Sequence, residues 1–158
     1  MRRMILLLMN GMVTFLISIV SVHAQQKDDV VGFWISAQKN VIVQIYPDSI
    51  GFRGKLVWFD DTDDPSKPMH TRQDVNNPIP ALRSRLVLGI DVLKGLVFDP
   101  KCKCWKDGKI YDVMTGKTWD AGITAENIDR LRVRGYWHFQ VFGKSMTFTR
   151  FQPTTKVK

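Results

Sequence analysis

The sequence is poor in the residues that most often carry chemistry. Across 158 residues it has three histidines, two cysteines and a single glutamate, Glu126. A hydrolase built on paired glutamates has no pair to use, and a zinc centre would find few soft ligands, with no ligand spacing between His70 and His138. A Gly-x-Ser-x-Gly nucleophile elbow, a His-Glu-x-x-His helix and a phosphate-binding loop are all missing. Long amphipathic helices are missing too, because no window of helical length keeps a 3.6-residue apolar period except a short stretch around Pro80 to Leu86. The composition therefore points to no cofactor and no metal, and toward a binding or structural role rather than catalysis. Aspartate is plentiful, and Asp60-Asp61-Thr62-Asp63-Asp64-Pro65 is the densest acidic run. It lacks the glycine and terminal glutamate of a calcium loop and reads as a solvated turn.

What is present begins at the N-terminus. Arg2 and Arg3 precede an apolar run from Met4 to Val20, which ends in Val22-His23-Ala24 before a polar stretch. A positive end, an apolar middle and small residues at a cleavage point make a signal peptide. Asn10 and Gly11 interrupt the run, which falls short of the roughly 20 residues of a membrane-spanning helix. Cleavage after Ala24 is expected to leave residues 25–158 as one domain, exported to the periplasm or beyond, with no transmembrane segment. The leader holds two of the 23 basic residues and none of the 15 acidic ones, so the net charge falls from +8 to +6. Such a surplus favours an anionic partner or surface. The cations are scattered singly between apolar residues, which argues against nucleic acid.

Cys102 and Cys104 flank Lys103. Two residues apart on an extended strand, their Cα atoms would lie near the roughly 7 Å limit for a bridge. Export favours a disulfide, within the chain or between chains. Free thiols and a metal site are the alternatives.

The remaining chain alternates short runs rich in Val, Ile, Phe, Trp, Tyr and Thr with Gly, Asp, Asn and Pro. This pattern predicts strands at 30–36, 41–46, 50–59, 86–98, 109–113, 117–124, 130–137 and 144–151, with turns at Pro47-Asp48-Ser49, Asp107-Gly108 and Thr115-Gly116. Residues 60–82 form the longest loop. Eight strands with short connections form an up-and-down meander, and pairing the first strand with the last removes both exposed edges. The expected fold is an all-β, eight-stranded antiparallel barrel, with an open sheet or a sandwich as the alternative. Such a barrel is either filled by its own side chains or holds one small ligand.

Two resemblances follow. Gly32-Phe33-Trp34 on the first strand and Arg150 on the last resemble the lipocalin and calycin arrangement, which implies that Trp34 packs at the closed end with the Arg150 guanidinium across it. Over most of the chain the sequence also resembles DUF2147, a family of exported bacterial proteins of unassigned role. The likeness lies in Val31-Gly32-Phe33-Trp34, Gly54-Lys55-Leu56-Val57-Trp58, Asn77 to Arg85, Gly108-Lys109-Ile110-Tyr111-Asp112, Thr115-Gly116-Lys117-Thr118-Trp119, Leu131 to Tyr136 and Phe142-Gly143-Lys144. The chain departs from the usual pattern at Val113, at Trp119 and in its Cys102-Lys103-Cys104 insert. This resemblance implies no activity.

Six side chains are candidates for ligand contact. Arg83 and Arg85 carry planar forks suited to a carboxylate or phosphate, or else to loop carbonyls and the nearby aspartates. Tyr111 and Asp112 end a strand near a rim, where Asp112 either caps the following turn or orients Arg134 or Lys117. Trp119 stands on the next strand. Arg134 belongs to a row, Arg130, Arg132 and Arg134, that alternates with Leu131, Val133 and Gly135; one face of that strand is basic and the other apolar. An exterior ladder paired with Asp112 and Asp120 is one reading of the row, and an anionic ligand site is the other. The functional expectation is noncatalytic binding of a small apolar or amphiphilic molecule, with Arg85 or Arg134 meeting its anionic head. An interaction module for an envelope protein or glycan, and an enzyme, are the rivals.

Overall fold

The computed structural model describes residues 26–136 and 143–153. The predicted leader, the strand end assigned to Trp137, and His138 lie outside them. Eight strands follow in order: β1 (Gly32–Ser36), β2 (Val41–Pro47), β3 (Phe52–Phe59), β4 (Asp91–Asp99), β5 (Cys104–Asp112), β6 (Lys117–Asn127), β7 (Arg130–Tyr136) and β8 (Gly143–Phe151). Each pairs antiparallel with the next, and β1 pairs with β8 to close an eight-stranded barrel. Closure satisfies both edge ladders, which is why the meander does not stay open.

Residues directly opposite in an antiparallel pair share a face, so the register sorts the barrel into inside and outside. Trp34, Val43 and Leu56 stand in one inward row across β1, β2 and β3, and Leu131 faces Phe148 across β7 and β8. Trp34, Phe52, Leu96, Trp105, Ile123 and Leu131 are each no more than 1% exposed. They form the floor and lower wall of the interior.

The floor is capped by a 3-10 turn at Lys27–Val30. The Trp34 indole donates to the Val30 carbonyl at 2.8 Å, and the Trp105 indole donates to that of Lys27 at 3.0 Å. Arg150 lies opposite Trp34 in the β1–β8 register, its guanidinium 4.3 Å from the ring centroid. Its three nitrogens donate to the carbonyls of Asp29, Val31 and Ile128 at 2.9–3.1 Å. The closed end is therefore built as the lipocalin-like resemblance implied.

Three sequence expectations are corrected. Asp107-Gly108 is no turn but a bulge inside β5: Asp107 takes φ +61°, and the β5–β6 register shifts between Trp105 and Gly108. The chain reverses instead at Pro100 to Lys103, where Pro100 has no N–H to extend the ladder and Lys103 takes φ +52°. Cys102 thus sits in a tight turn and Cys104 at the first position of β5, rather than both on one extended strand; their Cα atoms are 5.2 Å apart, and they are joined by a disulfide within the chain. Finally, residues 86–90 are not strand. Leu86 forms one isolated bridge with Gln73, and the connection from β3 to β4 runs from 60 to 90.

A bridge closing so short a loop removes little freedom from the unfolded chain, at most about 1.5 kcal/mol, against about 3 for a 15-residue loop. The double variant Cys102→Ser/Cys104→Ser is expected to melt within about 5 °C of the parent. A larger loss in calorimetry would show that the thiols hold more than this turn.

Candidate functional site

The long connection from β3 to β4 lies at the end of the barrel opposite the floor, against the end of β5 and the β5–β6 turn, and its centre is a buried carboxylate. Asp74 is 0% exposed. Its Oδ1 accepts the Tyr111 hydroxyl at 2.6 Å, and its Oδ2 accepts Asn77 Nδ2 at 2.7 Å and the Arg85 fork at 2.8 and 3.0 Å. The Arg85 guanidinium also lies 5.7 Å from the centre of the Tyr111 ring. Burial pushes the Asp74 carboxyl up, but donation from Tyr111, Asn77 and Arg85 outweighs it and leaves the group below the ordinary carboxylate range. The Tyr111 phenol is raised, first by burial and then by its bond to Asp74.

Two of the six candidates, Arg85 and Tyr111, therefore meet, but around Asp74 rather than around an open site. Arg83 donates to the Asn77 carbonyl at 2.8 Å, which ties the same loop to itself. Arg72 takes the part expected of Arg83 and Arg85 beside the acidic run: it forks onto Asp63 at 2.7 and 3.0 Å and donates to the carbonyls of Asp61 and Lys67. Asp112 caps its turn, accepting Met114 N at 2.9 Å and the Thr115 hydroxyl at 2.7 Å. The turn presses against the loop so closely that a Cβ on Gly116 would lie 1.9 Å from the Asn76 carbonyl oxygen, and Asn76 donates to the Met114 carbonyl at 2.9 Å.

Trp119 is half-buried and faces Ile110, which lines the interior. Arg134 stands across the barrel wall, on the outer face of β7 with Arg130 and Arg132. Arg132 pairs with Glu126, not with Asp112 or Asp120; Asp120 pairs with Lys109. The six candidates do not form one site.

The space available to a ligand lies elsewhere. Between Trp34, Val43, Ile45, Leu93, Ile110 and Phe148 the interior retains about 30 Å³. That is room for about one water molecule, and far below the roughly 300–1,000 Å³ of small-molecule sites. A groove of about 480 Å³ runs instead along the outside, lined by Phe33 and Ile35 of β1, Ile42 of β2, Val57 and Trp58 of β3 and Phe151 of β8. Register explains the grouping. Phe33 faces Phe151, Ile35 faces Ile42, and Ile42 faces Trp58, all on the side opposite Trp34. A bulge between Ile42 and Val43 sets Val57 beside Trp58 without an opposite residue, which adds an apolar side chain to the outer face.

Sequence reasoning missed this groove although a signal was present. A barrel strand with water outside alternates apolar and polar residues, whereas Phe33-Trp34-Ile35 and Val41-Ile42-Val43 do not alternate. It missed Asp74 and the buried Asn77 because their partner Tyr111 is more than thirty positions away.

The comparisons agree with this architecture. No curated protein matches the chain. A Helicobacter pylori protein, HP1028, described as belonging to the lipocalin family, is similar in structure. The TM-score is 0.65 at 22% identity, over 77% of this chain and 82% of that one, a likeness of fold. A family model described as an uncharacterized protein conserved in bacteria, DUF2147, matches residues 32–150. That span runs from the start of β1 to the floor arginine and takes in the whole barrel frame, so the chain belongs to the DUF2147 family.

Proposed function

We propose that this protein is an exported, noncatalytic binding barrel that takes a small apolar or amphiphilic molecule in its outer groove rather than in its lumen. One contrast carries the reading: the pocket inside the barrel between Trp34, Leu93 and Phe148 offers about 30 Å³, whereas the groove offers about 480 Å³ with apolar side chains along it. Half-buried aromatic and branched side chains that remain in contact with water on a barrel exterior form a patch that gains free energy when covered. A lipocalin-like fold agrees with small-ligand binding, and export follows from the leader-like N-terminus. The rim residues Arg85, Tyr111 and Asp112 then serve to fix the long loop and its neighbouring turn.

The test is titration with the neutral fluorophore N-phenyl-naphthylamine. Burying one side chain of this size contributes about 1.5–3 kcal/mol, so Ile35→Glu in the groove should weaken binding roughly 10- to 100-fold. Val43→Ile adds one methylene group to the lumen and should leave affinity unchanged. The opposite pattern would return the ligand to the interior and end this reading.

A further inference from the structure

The charges of the strands are distributed unevenly around the barrel. Consecutive around the wall, β7, β8, β1, β2 and β3 hold seven lysines and arginines and no aspartate or glutamate. The other three strands, β4, β5 and β6, hold two acidic residues each. The apolar groove lies within the basic sector, on β8, β1, β2 and β3.

The outward rows place cations on both flanks of the groove. On one flank, Arg130, Arg132 and Arg134 of β7 face Thr149, Thr147 and Ser145 of β8, one strand from the groove wall. On the other, Arg53 and Lys55 of β3 alternate with the inward Phe52, Gly54 and Leu56. Neighbouring strands lie roughly 4.8 Å apart, so the two rows are about 20 Å apart along the curved wall; four strands apart in a closed ring of eight, they stand on opposite sides of the barrel with the groove side between them. Some of this charge is neutralised: Arg132 by Glu126, and Arg53 by Asp48 at 2.6 Å and Asp91 at 3.4 Å. Lys55 faces Asp91 in register, forms no ion pair with it and lies over the Tyr46 ring at 5.4 Å. Arg130 is exposed. Between the flanks Thr147, Thr149 and Gln44 are uncharged.

Apolar side chains flanked on both sides by cations match the layering of an anionic bilayer surface, where acyl chains lie beneath a plane of phosphates. We propose that the groove side, β8–β1–β2 with β7 and β3 at its two margins, docks the barrel, lying on its side, onto an anionic lipid bilayer. Phe33, Ile35 and Trp58 then enter the interface while Lys55 and Arg130 meet headgroup phosphates. This rests on the reading that the groove takes apolar matter, and adds that the bilayer is its source. A neutral apolar solute would have no use for the flanking cations, whereas a phosphate plane uses both rows.

The processed protein, its N-terminus read by mass spectrometry so that no leader is present, is to be floated with two kinds of vesicle: phosphatidylcholine alone, and an equimolar mixture with phosphatidylglycerol. Binding is expected to the mixed vesicles only, and to fall when salt is raised from about 0.1 to about 1 M, as the screening length drops from roughly 10 to 3 Å. Lys55→Ser and Arg130→Ser should each lower the partition coefficient about fivefold, the effect of one cation near an anionic surface. Ile35→Glu should abolish binding, with circular dichroism melting confirming that each variant folds. Equal binding to both vesicles, or indifference to both cation variants, overturns the proposal. So does a dimer in vesicle-free solution that Ile35→Glu dissolves, because the face would then belong to a second copy. Loss of vesicle binding with fluorophore binding intact refutes the bilayer alone; loss of groove-dependent fluorophore binding refutes the reading beneath it.

Discussion

Arg150→Ala is expected to destabilise the barrel by about 2–4 kcal/mol, because a partly buried guanidinium gives up charge-assisted hydrogen bonds, worth about 1.5–3 kcal/mol, together with its cover of the Trp34 ring. The side chain bonds to three backbone carbonyls from three segments: the cap at Asp29, the lead into β1 at Val31, and the β6–β7 turn at Ile128. It also covers the Trp34 ring, a contact of up to about 2 kcal/mol where water is excluded. Alanine would leave these carbonyls without their donor and open the floor above an indole that is 1% exposed. Arg150→Lys keeps the charge but not the planar fork, and should recover less than half of the loss. Urea denaturation reads both variants. A midpoint for Arg150→Ala within about 0.5 kcal/mol of the parent, the range for ordinary surface substitutions, would show that the floor does not close the barrel.

The second large effect belongs to Asp74→Ala. Three donor groups converge on this carboxylate, and without it the Arg85 charge, the Tyr111 hydroxyl and the Asn77 amide lose their shared acceptor. Breaking a buried pair by removing one partner costs about 3–5 kcal/mol. The loss should appear first as release of residues 60–90, seen as faster proteolysis in that segment, and then as a lower melting temperature. The pH dependence has a fixed sign. The folded-state carboxyl lies below its ordinary value of 3.8, so its contribution is complete above that value and disappears as pH falls through the folded-state value. The stability gap between parent and Asp74→Ala should therefore be constant from about pH 7 to pH 5 and close in more acidic solution. A gap that widened with acid would mean that Asp74 is held protonated.

Sequence alone made the barrel frame legible because its signals are local or tied to chain ends. Gly32-Phe33-Trp34 and Arg150 mark the floor from opposite termini, and the turn residues separated most strands correctly. The exceptions have physical causes. Asp107-Gly108 has turn chemistry, yet pairing with β4 on one side and β6 on the other holds β5 extended through it, and the extra residue is absorbed as a bulge. The Asp74 cluster depends on a contact across 37 positions, which no spacing rule encodes. The rim arginines were identified correctly as fork donors to loop carbonyls and acidic neighbours: Arg83 takes the Asn77 carbonyl, but the carboxylate that Arg85 takes is Asp74, because the fold brings it closer than Asp60 to Asp64, which adjacency to the acidic run had favoured.

The outer groove, not the lumen, is the central claim, and side-chain chemical-shift mapping tests it most directly. In methyl- and aromatic-labelled protein titrated with N-phenyl-naphthylamine, the account predicts shifts concentrated at Phe33, Ile35, Ile42, Val57, Trp58 and Phe151, with Leu93, Ile110 and Val133 unmoved. Shifts concentrated at Leu93, Ile110 and Val133 would place the ligand inside the barrel and contradict it.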